Sequence, residues 1–175
     1  IDLTMEFDGN APAYPGEPQP KIIRKETIEK SGCNTSRLES DIHCGTHIDA
    51  PYHMREDGKK LGDFDIGSFF GTAIVLDATK RNEKGEVVAD VATAKGADFV
   101  FFYTGNSKNL GTEKYFKNIP VISTKTAQEL LDLKATTVGL DSFTPDSEPF
   151  LTHKLLFSQN VRIVENLVNL EGLVG

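Results

Sequence analysis

No tryptophan occurs in the 175-residue chain, and it has only two cysteines and two methionines. Two thiols, Cys33 and Cys44, cannot make a disulfide framework. A chain of this length buries about 70% of its unfolded surface and needs none. The reading is a reducing compartment with both thiols free, and a single Cys33–Cys44 bridge is the alternative. Long apolar runs are also missing, since nothing approaches the roughly 18 residues of a membrane span. Positive charge is in short supply, with 19 Lys+Arg against 26 Asp+Glu and a net charge of −7. That excludes the basic face a nucleic-acid binder needs. Ile1-Asp2-Leu3-Thr4 lacks the basic and apolar segments of a secretory leader, so the expectation is a cytoplasmic protein. With 38% apolar and 26% charged residues, the composition is that of a soluble globular protein. Neither a repeat nor a composition shift marks a second unit, so one domain over residues 1–175 is expected.

Pro12, Pro15, Pro18 and Pro20 forbid helix and sheet in the first twenty residues, which read as an ordered arm. Two β-branched or aromatic runs, Thr72–Ala78 and Asp98–Thr104, read as buried central strands. Between them Arg81–Glu86 is a charged turn around Gly85, and Val87–Val91 reads as part of a solvated surface connection or a short strand. Thr124–Leu133 predicts a helix capped from Ser123, Thr124 or Thr126, with Ala127, Leu130, Leu131 and Leu133 on its apolar face. Thr136–Asp141 reads as a strand, Leu151–Phe157 is ambiguous, and Val161–Glu165 alternates as a strand. There Arg162 and Val164 share one face, and Glu165 shares the other with Val161 and Ile163. The class is mixed α/β with strands dominating. Phe99, Phe101 and Phe102 are read as sheet core, while Phe64, Phe69 and Phe70 are either core or pocket lining.

Of four histidines, His43, His47 and His53 fall within eleven residues. Gly45 and Pro51 argue against a helix through this segment. In an extended chain His43, His47, Asp49 and His53 all face one way. The Cα atoms of His47 and Asp49 would then lie roughly 6–7 Å apart, within reach of one ion. His43 and His53 would be roughly 33 Å apart if the chain ran straight, so it must bend, as Gly45 and Pro51 permit. Imidazole with carboxylate suits Zn²⁺ first and Mn²⁺ second, ahead of the oxygen-seeking Mg²⁺ and Ca²⁺. Glu165, on an apolar face, needs a partner, and a cation supplies one. His153 is the fourth histidine. Ordinary polar residues on an exposed strand remain the alternative. Cys44 reads as a small buried apolar residue.

The segment His-x-Gly-Thr-His-x-Asp-Ala-Pro-x-His, residues 43–53, resembles the signature of the cyclase family that includes bacterial kynurenine formamidase and isatin hydrolase. Asp2-Leu-Thr4 and Tyr14-Pro-Gly-Glu-Pro18 resemble its opening segments, and Gly139-Leu-Asp-Ser142 with His153 through Leu167 resemble its closing motif. The resemblance implies a swivelling β/β/α fold, a homodimer or homotetramer, and one or two divalent ions. It implies His43, His47 and Asp49 as ligands of the first ion, Asp49 and Glu165 as bridges, and His153 as a ligand of the second. It also implies His53 as the acid/base.

Three departures stand out. Tyr14 takes the place of a tryptophan that packs on the aromatic substrate, Lys154 takes that of a second histidine, and Gly175 ends the chain before an expected further strand pair. Tyr14 is retained as a substrate-contacting residue. Asp141, at a strand end, is a candidate to orient a ligand histidine. The expected activity is hydrolysis of a small-molecule amide or formamide by water activated on the cation, with His53 moving the proton. A cyclic amide such as isatin is the alternative substrate, and a non-catalytic metal-binding protein the more distant reading.

Overall fold

The computed structural model describes residues 1–175. Residues 1–20 form an arm without regular structure, as the prolines require, tied down by an isolated bridge between Ala13 and Cys44. Strands β1 (Lys21–Glu26) and β2 (Thr35–Glu39) then make an antiparallel hairpin around the four-residue helix α1 (Ile28–Ser31). Gly32 ends that helix in the left-handed conformation, φ 80°.

The remaining strands form one five-stranded sheet. They are β3 (His47–Asp49), β4 (Ala73–Asp77), β5 (Phe99–Tyr103), β6 (Thr137–Leu140) and β7 (Arg162–Glu165), in the order β3-β7-β6-β5-β4. Only β3 runs antiparallel to its neighbour. The parallel strands need crossovers, and helices α2 (Thr124–Asp132) and α3 (Leu151–Ser158) supply two of them. Of the three candidate caps it is Ser123 that starts α2, its hydroxyl accepting from the Thr126 N–H at 3.1 Å. The ambiguous Leu151–Phe157 segment is helix. The mixed, strand-dominated reading therefore holds.

Alternation within the strands divides the apolar residues between two faces. Val100, Phe102, Val138, Leu140 and Ile163 join Ile122, Ala127, Leu130, Leu156 and Phe157 in the main core. On the other face a smaller cluster forms around Val75, Tyr103, Leu167 and Leu170. Gly139 makes that cluster possible, because a Cβ there would lie 2.8 Å from both Leu167 Cδ1 and Phe101 Cδ1.

Two expectations need correction. The Thr72–Ala78 run is β4, an edge strand rather than a central one, met on its open side only by the bridge from Val75 to Val174. Its β-branched residues reflect burial of the two sheet faces, which says nothing about place in the strand order. Val87 and Val91 are not on a solvated connection, since both are buried in the main core, and the N–H of Val87 bonds the Val121 carbonyl at 2.8 Å.

Candidate active site

The histidine segment bends at the two predicted places. Gly45 has φ 63°, which favours glycine, and a Cβ there would sit 3.0 Å from the Phe7 ring, which would have to give way. Pro51 starts a single 3₁₀ turn, Pro51–His53, which folds His53 back until its ring centroid lies 4.0 Å from that of His43. Between the bends, strand β3 puts His47 and Asp49 on one face. Its register with β7 sets His47 directly opposite Glu165. Registered neighbours share a face, so two distant stretches of chain deliver three ligand-type side chains to one point. His153 enters from the first turn of α3, with Nε2 3.5 Å from Glu165 Oε1.

His43 Nδ1 lies 2.9 Å from Asp49 Oδ1, and His47 Nε2 lies 3.5 Å from the same oxygen, 3.4 Å from Glu165 Oε2 and 3.3 Å from His43 Nδ1. Donors on a tetrahedral ion with bonds of about 2.1 Å are about 3.4 Å apart, so most of these separations are those of a shared cation. Asp49 Oδ1 is buried, and its 2.9 Å approach to His43 Nδ1 lacks hydrogen-bond geometry, which fits two donors that share an ion. Asp49 belongs to both three-residue donor groups, His43/Asp49/His53 and His47/Asp49/Glu165. The donor set thus fits a divalent cation on its own chemistry.

The rings are held in the tautomers that such binding needs. His47 Nδ1 donates to the Gly45 carbonyl at 2.9 Å, leaving the Nε2 lone pair toward the carboxylates. The same carbonyl accepts from Asn166 Nδ2 at 2.8 Å, and Asn166 Oδ1 accepts from the Tyr115 hydroxyl at 2.6 Å. His153 Nδ1 meets Asp146 Oδ1 at 2.5 Å, and Asp146 Oδ2 accepts from the N–H groups of Thr152 and His153 at 2.7 and 3.2 Å. One carboxylate therefore satisfies the start of α3 and orients its histidine. Burial alone would lower the His153 pKa, but Asp146 and Glu165 outweigh it and push the group up to about 9. The Asp49 carboxylate likewise raises His43. His53 has no such partner, and burial holds it below the usual histidine value.

The description putative cyclase matches residues 1–147 of the sequence. The chain belongs to this cyclase family. A kynurenine formamidase of Bacillus cereus is 29% identical over 172 residues, covering 96% of this chain and 81% of its own. An uncharacterised protein of Methanocaldococcus jannaschii is 34% identical over 176 residues, covering 100% and 84%. Among solved structures, a potential metal-dependent hydrolase with cyclase activity has a TM-score of 0.75 at 31% identity, over 95% of this chain and 80% of its own. An isatin hydrolase bound to thioisatinate reaches a TM-score of 0.83 at 21% identity, over 99% and 80%, a likeness of fold.

In this cyclase-family chain the donor cluster forms the floor of a cavity of about 550 Å³. Tyr14, Phe143 and Phe150 line it together with His53 and Met54. Tyr14 and Phe143 meet edge to face with centroids 6.0 Å apart. Cys44 is buried and free, bonded through Sγ to the Ala11 carbonyl, and Cys33 is exposed and free, so no bridge links them.

Asp141 does not orient a histidine. It is buried, and its oxygens accept from the N–H and hydroxyl of Thr104 and of Ser107, stitching the ends of β5 and β6 together. Asp146 has the role instead. Its signal was an acid five residues ahead of Leu151, legible only once the segment after it is known to be a helix. Phe64 and Phe69 leave the cavity as well, because their rings cover the buried Arg162 guanidinium at 5.1 and 4.3 Å. Phe70 is exposed. Arg162 otherwise bonds the Ser68 hydroxyl and carbonyl, which is how a charged residue alternates into a buried strand.

Proposed function

We propose that the protein is a divalent-metal-dependent hydrolase of the amide or formamide C–N bond, arylformamidase-like, as the kynurenine formamidases among its relatives suggest. The observation that carries this reading is the convergence of His43, His47, Asp49, His153 and Glu165 at ion-sharing distances beneath a cavity that His53 also lines. In this reading those five residues hold one or two cations, Zn²⁺ in first place and Mn²⁺ in second. When bound, the cation would supply a Lewis acid and lower the pKa of water toward neutrality.

The protein's own residues do the rest. His53 is neutral at neutral pH because burial depresses it, so a ring nitrogen can take a proton from attacking water. The resulting imidazolium gives that proton to the departing nitrogen. Gly45, Asn166 and Asp146 keep His47 and His153 from turning, and Tyr14 and Phe143 offer an edge-to-face wall to an aryl group. No helix is long and apolar enough to cross a membrane, and the expected partner is a small molecule.

The proposal extends to a homo-oligomer. Ile22 and Leu38 are opposite one another in the β1–β2 hairpin and are 52% and 57% exposed. An isolated two-stranded hairpin is marginal in water, and a second copy would cover these residues.

The test combines elemental analysis with hydrolysis of N-formylkynurenine, formanilide and isatin before and after chelation. Bound zinc or manganese and formamide hydrolysis lost on chelation and restored by metal are expected. Preference for isatin would move the substrate to cyclic amides, and activity surviving complete metal removal would refute the mechanism.

A further inference from the structure

Asn166 directly follows Glu165 at the end of β7, is 2% exposed and holds φ 59°, a left-handed conformation that asparagine tolerates better than most residues. Its backbone and side chain reach three separate segments. The N–H donates to the Ser142 carbonyl at 2.8 Å, and the carbonyl accepts from the Thr46 hydroxyl at 2.6 Å. Nδ2 donates to the Gly45 carbonyl at 2.8 Å, and Oδ1 accepts from the Tyr115 hydroxyl at 2.6 Å. One residue thus adjoins Glu165 in the chain and also grips the carbonyl that orients His47, the residue registered opposite Glu165.

Chemistry fixes the direction of these bonds. A carbonyl cannot donate, so the amide presents Nδ2 to Gly45 and is left with Oδ1 toward Tyr115. That oxygen only accepts, so the phenol must be the donor and must keep its proton. Burial, with the charges of Asp141 and Glu165 nearby, raises the Tyr115 pKa far above its ordinary value, and the hydroxyl stays protonated at neutral pH. The phenol is also immobile. Tyr115 is 1% exposed, its ring lies against those of Phe116 and Phe143 with centroids 5.2 and 5.9 Å away, and its carbonyl accepts from Asn106 Nδ2 at 3.0 Å.

We propose that Tyr115 is a positioning residue of the metal site: its hydroxyl sets the Asn166 amide, the amide clamps the Gly45 carbonyl, and that carbonyl holds His47 with Nε2 toward Asp49 and Glu165. This rests on the metal-site reading above and deepens it. A neutral phenol brings no charge to the site, so its effect is one of geometry. Without the hydroxyl the amide is free to rotate, the Gly45 carbonyl loses its second donor, and the His47 ring is no longer confined to one tautomer and one orientation.

The experiment is Tyr115→Phe, which deletes one oxygen and keeps the ring against Phe116 and Phe143. Zn²⁺ affinity, measured by competition with a chromogenic chelator, is expected to fall about tenfold, the low end for partners that bond a ligand directly, because Tyr115 acts one residue further out. In the Zn²⁺-loaded protein the His47 Nδ1–H, followed by nitrogen-15 NMR, exchanges with water faster in the variant. Val100→Ala, a truncation inside the main core, melts lower but keeps both values, which separates positioning from general loss of stability. Asn166→Ala weakens Zn²⁺ binding by itself, and adding Tyr115→Phe to it weakens binding no further. Unchanged affinity and exchange in Tyr115→Phe, equal losses in Val100→Ala, or an effect that simply adds to that of Asn166→Ala overturns the inference and leaves the metal-site reading standing. If the unaltered protein holds neither Zn²⁺ nor Mn²⁺, that reading falls and takes this inference with it.

Discussion

Asp146→Asn separates orientation of His153 from the mere presence of His153. The change keeps the side-chain shape but removes the charge facing His153 Nδ1 at 2.5 Å, and an amide nitrogen can now occupy either position. A partner that orients a ligand histidine is worth about 10–100-fold in metal affinity, equivalent to roughly 1.4–2.8 kcal/mol. Metal-linked stabilisation makes the loss measurable. At free metal about 1,000 times the wild-type Kd, binding adds about 4.1 kcal/mol, and a 100-fold weaker variant would keep only about 1.4. The difference, about 2.7 kcal/mol, is roughly 5–11 °C in Tm for a chain of this size. The assay is a pair of melting curves, with chelator and with excess Zn²⁺ or Mn²⁺, backed by competition against a chromogenic chelator. Asp146 also caps α3, so the chelated variant melts lower as well, and only the metal-dependent increment reports orientation. If that increment equals the wild-type value, Asp146 is a cap and nothing more, and the assignment of His153 to the metal loses its support.

His53→Ala is expected to lower kcat by about 10²–10⁴-fold with metal content unchanged, read by elemental analysis beside kinetics. An emptied metal site would instead make His53 a ligand. Asp141→Ala strands the two donors of buried Thr104 and the two of half-buried Ser107 and should cost about 2–4 kcal/mol in denaturant unfolding without changing the metal-induced Tm increment; equal loss of both would place Asp141 with the site. Ile22→Lys with Leu38→Lys should shift the protein to monomer in light scattering while its chelated melting temperature changes little, and an unchanged mass would remove the hairpin from any interface.

Residue types and short-range periods determined a good deal on their own. The spacing of His43, His47, Asp49 and His53 carried the ligand chemistry, because alternation in an extended chain is a local property. Gly45 and Pro51 announced the bends, because backbone freedom and its loss are intrinsic to those residues. The cluster Ser123, Thr124 and Thr126 marked the start of α2 for the same local reason, although only the structure chose Ser123 as the cap. What the tertiary structure decided is every relation between remote segments. The pairing of β3 with β7 sets Glu165 opposite His47, and no period in the chain encodes a strand partner. Asp146 replaced Asp141 beside His153 because α3 had first to be a helix with an N-terminus to cap. Phe64 and Phe69 went to Arg162, and β4 to the sheet edge, since burial of a face looks the same from sequence whichever neighbour provides it. Local conformation is fixed by torsional preferences within a few residues, whereas the convergence that makes a site depends on which surfaces the folded sheet brings into contact.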